Sequence, residues 1–72
     1  MYINERILQI LRDKYKPNTR VELDYMDDPQ APPVGTQGTV LGVDDIGSIM
    51  VKWDNGSGLN VIYGEDKCHI VR

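Results

Sequence analysis

Residues 35–59, GTQGTVLGVDDIGSIMVKWDNGSGL, decide the fold, because they read as strand, tight turn, strand, tighter turn and the start of a third strand. Between the two turns Ile49, Val51 and Trp53 alternate with Ser48, Met50 and Lys52, so one face of the middle strand is apolar and the other meets solvent. Asn55-Gly56 supplies the two positive-φ positions of a type I′ hairpin turn, which asparagine and glycine occupy with little steric penalty. Asp44-Asp45-Ile46-Gly47 supplies the earlier reversal, with aspartates to bind their own backbone and a glycine at the sharp point.

Working outward toward the N-terminus, Thr36 to Val43 is a strand whose glycines, with Gly35 just before it and Gly38 within, mark a bulge, a bend or a close backbone approach. Before it, Asp27 to Gly35 holds three prolines and predicts a stiff, extended connection, with Asp27-Asp28-Pro29 as a turn-initiating cluster. Thr19 to Met26 alternates Val21, Leu23 and Tyr25 against Arg20, Glu22 and Asp24, a half-buried strand. Asn4 is a good N-cap, and residues 4–15 place Ile7, Leu8, Ile10, Leu11 and Tyr15 on one side of a helix that Pro17 ends. So short a helix is marginal alone in water and must dock, either on its own barrel or on a second protein or protomer. Toward the C-terminus, Gly58 to Tyr63 pairs back through the Asn-Gly turn, and Gly64 to Lys67 turns the chain into a last strand, Cys68 to Val71. Five short antiparallel strands over residues 19–72 suit a small, strongly bent SH3-like barrel, preceded by one amphipathic helix. An OB-fold fits less well, because only a tight turn separates the third and fourth strands, where that fold carries a helix.

Seventy-two residues predict a single domain, 1–72. The lone Cys68 excludes an intramolecular disulfide, and too few Cys and His residues are present for a structural zinc site. With no apolar leader and no span long enough for a bilayer, the expected setting is the cytoplasm and no membrane contact is predicted. The formal net charge of −3 hides an asymmetry: residues 1–20 carry +3, and the remainder −6. A largely acidic surface matches a phosphate backbone poorly, which disfavours nucleic acid as a partner.

The residues Thr19-Arg20-Val21-Glu22-Leu23, Met26-Asp27-Asp28-Pro29, Gly35-Thr36, Gly38-Thr39-Val40, Val43-Asp44-Asp45, Gly47-Ser48, Val51, Trp53-Asp54-Asn55-Gly56-Ser57 and Leu59 resemble a family of small bacterial and phage or mobile-element proteins classed only as a domain of unknown function. The resemblance implies no activity. Asn18 stands where that family pattern has glycine, and asparagine tolerates the same positive φ. From Gly38 to Ser57 the chain is also similar to the Mind-bomb/Herc-type domains of ubiquitin ligases, which implies a barrel that binds protein or peptide.

Cys68 and His69 are strand neighbours facing opposite ways and cannot pair as nucleophile and base, and no phosphate loop, nucleophile elbow or paired-carboxylate motif is present. The expectation is therefore a non-catalytic binding module without metal or cofactor. Trp53 reads first as core, with its ring edge open near the turn. If it instead lies open beside Tyr25 or Tyr63, it forms an aromatic platform for an extended peptide, rimmed by Asp27, Asp28 and Asp54 and suited to a basic ligand. Two alternatives stand beside this: a nucleic-acid-binding barrel of the KOW type using Arg6, Arg12, Lys14, Lys16 and Arg20, and an acidic decoy of a nucleic-acid-binding protein.

Overall fold

A computed structural model describes residues 3–71; Met1, Tyr2 and Arg72, which the single-domain reading includes, lie outside the described residues. The elements run α1 (Glu5–Lys14), β1 (Arg20–Tyr25), β2 (Gln37–Val43), β3 (Ser48–Trp53), β4 (Val61–Ile62) and β5 (Lys67–Ile70). All strand pairs are antiparallel, in the order β4-β3-β2-β1-β5, so the last strand returns to the far side of the first. The sheet bends until its two edge strands, β4 and β5, meet at the turn between them. The molecule is thus mainly β, a small five-stranded sheet with one N-terminal helix, as the alternation predicts.

Its centre is the tryptophan strand. Ile49, Val51 and Trp53 are buried together with Val21 and Leu23 of β1, Val40 of β2, Val61 of β4, and Met26. Gly38 faces this cluster from β2: a Cβ there would stand 2.6 Å from Val51 Cγ1 and 2.9 Å from the Lys52 carbonyl oxygen, so only glycine lets the strands approach this closely. The strand bulge lies further on, between Val40 and Gly42. Ser48, expected on the open face, is buried at the start of the strand, where its amide donates to Asp44 Oδ1 at 2.8 Å.

Both hairpin loops close in one way, and neither is type I′. Gly47 N–H donates to the Asp44 carbonyl and Asp44 N–H to Ser48, while Gly56 N–H donates to the Trp53 carbonyl and Trp53 N–H to Ser57. Among non-glycine described residues only Asn18, with φ 73°, has a positive φ, so Asn55 is not in the mirror-image turn and the left-handed position is Gly56, φ 93°. Each loop is a three-residue connection whose glycine forms a bulge against the following strand. Asn18 takes the positive φ that asparagine is expected to tolerate there.

Three further expectations change. β1 slips register between Leu23 and Tyr25, so Asp24 is an extra residue, Tyr25 turns outward and Met26 turns in. The fourth strand shrinks to Val61–Ile62, because the Trp53 indole N–H takes the Leu59 carbonyl at 2.8 Å, where a longer ladder would otherwise run. The proline-rich connection is not one extended run: it holds two turns, Ala31 N–H to the Asp28 carbonyl and Thr36 N–H to the Pro33 carbonyl, with Pro32 buried.

The helix starts where its cap predicts: Asn4 Oδ1 accepts the Arg6 N–H at 2.7 Å. It docks on its own sheet, burying Leu11 and Tyr15 in the core, while Ile7 only leans on the core and Ile10 stays out, 57% exposed. Arg12 fixes the angle by reaching Asp45 at 2.7 Å in the β2–β3 loop.

Candidate functional site

The six residues of the expected aromatic and acidic platform are not brought together as one face. Trp53 is only 1% exposed and its indole N–H is bonded, so it supplies no ring edge to solvent and no platform. Asp54 is held by Arg20, whose two terminal nitrogens meet its two oxygens at 2.9 and 2.6 Å; this lowers the Asp54 pKa and raises that of Arg20 through the paired hydrogen bonds. Asp28 caps its own turn, its carboxylate accepting Gln30 N–H at 2.7 Å. Asp27 contributes its amide to Asp66. Tyr25 and Tyr63 are each about half exposed, on different elements.

Asp66, which the sequence offers only as part of a turn, closes the sheet. Its side chain is buried, with Oδ1 accepting Asp27 N–H and Oδ2 accepting Ile62 N–H, both at 2.9 Å. Its own amide returns to the Ile62 carbonyl. One carboxylate thus joins the end of β4, the start of β5 and the head of the proline-rich connection, and no pattern of spacing announces an acceptor one of whose donors, the Asp27 amide, lies 39 residues away in the chain.

This closure places Tyr63 at the rim of two grooves beside the helix, each of about 580 Å3. The first runs between α1 and the β4–β5 corner, with Ile10, Lys14, Tyr63, Lys67 and Cys68 among its walls. The second lies toward the helix N-terminus and is walled by Ile3, Ile7, Ile46, Ile62, Tyr63 and others. Ile46 is 69% exposed and Ile62 43%, and Tyr63 lines both grooves. The sequence assigns Ile10 to the core-facing stripe and Ile46 to a turn; only the fold brings each into a groove with Tyr63.

Burial pushes the Cys68 thiol up to about 11, outweighing the Tyr15 hydroxyl beside it, so the sulfur stays protonated and weakly nucleophilic at neutral pH. Burial likewise raises Tyr15. His69 faces away from Cys68 and meets Asp24, its Nδ1 at 2.8 and 3.0 Å from the two carboxylate oxygens, which raises the imidazole pKa. No group of three or more His, Cys, Asp or Glu among the described residues is placed to hold a metal ion. No helix there is long and apolar enough to cross a membrane. Of the five cations considered for nucleic acid, Arg12 and Arg20 are engaged by Asp45 and Asp54.

No match was found among curated proteins. The model of the family described as Domain of unknown function (DUF4314) matches residues 4–71, which take in the helix cap, all five strands and the Asp66 closure. The chain belongs to that family.

Proposed function

We propose that this chain is a small non-catalytic module that binds another protein through the apolar surface around Tyr63. The observation that supports it is the exposure of Ile10, Ile46, Ile62 and Tyr63 along two grooves that share Tyr63, next to a helix whose core contacts are already made by Leu11 and Tyr15. A domain of this size gains nothing for its own stability from those exposed side chains, and contiguous exposed apolar surface on a small chain is the usual mark of an interaction site. A cytoplasmic setting goes with this reading, supported by the single unpaired thiol. The nucleic-acid alternative is not favoured, since two of its arginines are neutralised within the molecule. Nor is the acidic decoy, because Asp45, Asp54 and Asp66 are committed to internal partners.

The test compares affinity capture from the producing cells by the parent chain and by an Ile46→Ser/Tyr63→Ser variant, both immobilised at equal density. The reading predicts a protein retained by the parent and lost by the variant, with thermal melts that agree because both side chains are exposed. Equal retention by the two, or capture of nucleic acid in place of protein, contradicts it.

A further inference from the structure

The five strands do not contribute equally to the core. Each of β1 to β4 buries at least one residue, whereas β5 buries none: Lys67, His69 and Ile70 are exposed, and Cys68 is only partly covered where it leans on the core. β5 is also an edge strand, with a ladder to β1 alone. Its start is secured by the buried Asp66, which accepts the Asp27 and Ile62 amides at 2.9 Å. Beyond that anchor the strand depends on main-chain bonds, among them Val71 N–H to the Arg20 carbonyl at 2.9 Å, and on two side chains that leave it in opposite directions. A segment with so little buried apolar contact opens at lower free energy than the domain as a whole.

Inward, Cys68 meets the Tyr15 hydroxyl. Outward, His69 is set between two carboxylates of β1: its Nδ1 lies 2.8 and 3.0 Å from the Asp24 oxygens, and its Nε2 3.7 Å from Glu22 Oε2. Glu22 is the residue paired with His69 in the ladder, and Asp24 follows it two residues along. Among the described residues these two carry the charge that acts on the ring. Arg20 of β1 is turned to Asp54, Gln37 of β2 is neutral and bonds Glu22, β4 has no titratable residue, and Lys14 and Tyr15 lie on the Cys68 side.

We infer that β5 is a proton-controlled latch: it opens from β1 as a local unit hinged at Asp66, and a protonated His69 between Asp24 and Glu22 holds it closed. The hydrogen bond to Asp24 and the two negative charges raise the imidazole above its ordinary 6.5 while the strand is docked, and they do so no longer once it has swung away. Docking is therefore favoured by protons and weakens as pH rises through and above 6.5. The neutral ring still donates Nδ1–H to Asp24, so the latch loosens without letting go. Opening withdraws Lys67 and Cys68 from the wall of the first groove, which makes the shape of that groove depend on pH. The motion needs no partner.

The experiment follows amide hydrogen exchange by NMR in the parent, His69→Gln and Asp24→Asn, over a pH series and in low urea, with each rate expressed as protection relative to the unstructured chain. The amides of residue 69 and Val71, which face β1, are compared with those of Leu23 and Val40, which donate to Thr36 and Thr19. The expected protection at 69 and 71 is about tenfold or more below that of Leu23 and Val40 and insensitive to low urea. In the parent it falls by about two- to fivefold as pH rises, the scale of an exposed ion pair. It is expected to fall less in Asp24→Asn and to stay level in His69→Gln. Protection at 69 and 71 equal to that of Leu23 and Val40, with equal sensitivity to urea, shows that β5 opens only with the whole domain and overturns the inference. So does a parent without the fall, or a fall of the same size in His69→Gln.

Discussion

Asp66 shows how much one side chain settles. Two amides from separate parts of the chain converge on its buried carboxylate, and hydrogen bonds to an ionised acceptor contribute about 1.5–3 kcal/mol each. Asp66→Ala is expected to lower the urea-unfolding free energy by about 3 kcal/mol and Asp66→Asn by less, since the amide oxygen still accepts one bond. Equal stability of the parent and Asp66→Ala would remove the carboxylate from its role in closure. A second titrating residue acts at the surface. The hydrogen bond to Asp24, followed by the charges of Asp24 and Glu22, raises His69 above its ordinary 6.5 in the folded state. Its contribution is therefore complete below the unfolded value and fades as pH rises through the folded one. The stability margin of the parent over His69→Gln is expected to shrink as pH rises through and above the ordinary 6.5, read from urea midpoints. A margin that grows over that range would contradict the pairing. At this scale the sequence shows which residues titrate and nothing of their partners, because Asp24 and His69 meet only through strand pairing.

Among the elements, the strands are legible where burial alternates and illegible where a bulge intervenes. Val21, Leu23, Ile49, Val51 and Trp53 fall on the buried face as their alternation predicts, because each packs against a neighbour on one side of the pleat. Tyr25 does not, since one extra residue at Asp24 reverses the phase of everything after it, and no local signal marks that slip. The glycines separate in the same way. Gly56 has open space around it and a φ of 93°, so its requirement is purely conformational, whereas Gly38 has an unremarkable φ and neighbours too near for a methyl group. Gly56→Ala is expected to destabilise by about 1–2 kcal/mol, most of it recovered in Gly56→Asn, because asparagine visits the left-handed region. Gly38→Ala is expected to destabilise by about 2 kcal/mol, with no recovery in the larger asparagine. Thermal melts of the four variants check the contrast; recovery by asparagine at both positions would show that the close approach at Gly38 is not as described.

Over the whole molecule, the charge asymmetry of the sequence has a partly internal use. The basic leader and the acidic strands meet in two ion pairs, Arg12 with Asp45 and Arg20 with Asp54, that hold the helix and the first strand against the two hairpin loops. Exposed pairs of this kind contribute about 1 kcal/mol or less each, so they orient more than they stabilise. Lys14 and Lys67 also come together, on the walls of one groove that Asp24 and Asp66 line with them. That result is not legible in the sequence, where Lys14 reads as one more cation of the leader and Lys67 as a turn residue. The apolar surface was equally hidden, because Ile10 belongs to a helical stripe wider than the core it covers and Ile46 to a loop whose position follows from the hairpin.

The central claim is that the binding surface lies around Tyr63 and not on an aromatic platform at Tyr25. Placing a photoreactive benzoylphenylalanine at either position and irradiating the producing cells separates the two directly, since both side chains are about half exposed and neither substitution disturbs the core. A protein adduct from position 63 and none from position 25 is the result predicted; adducts from position 25 alone would contradict the account.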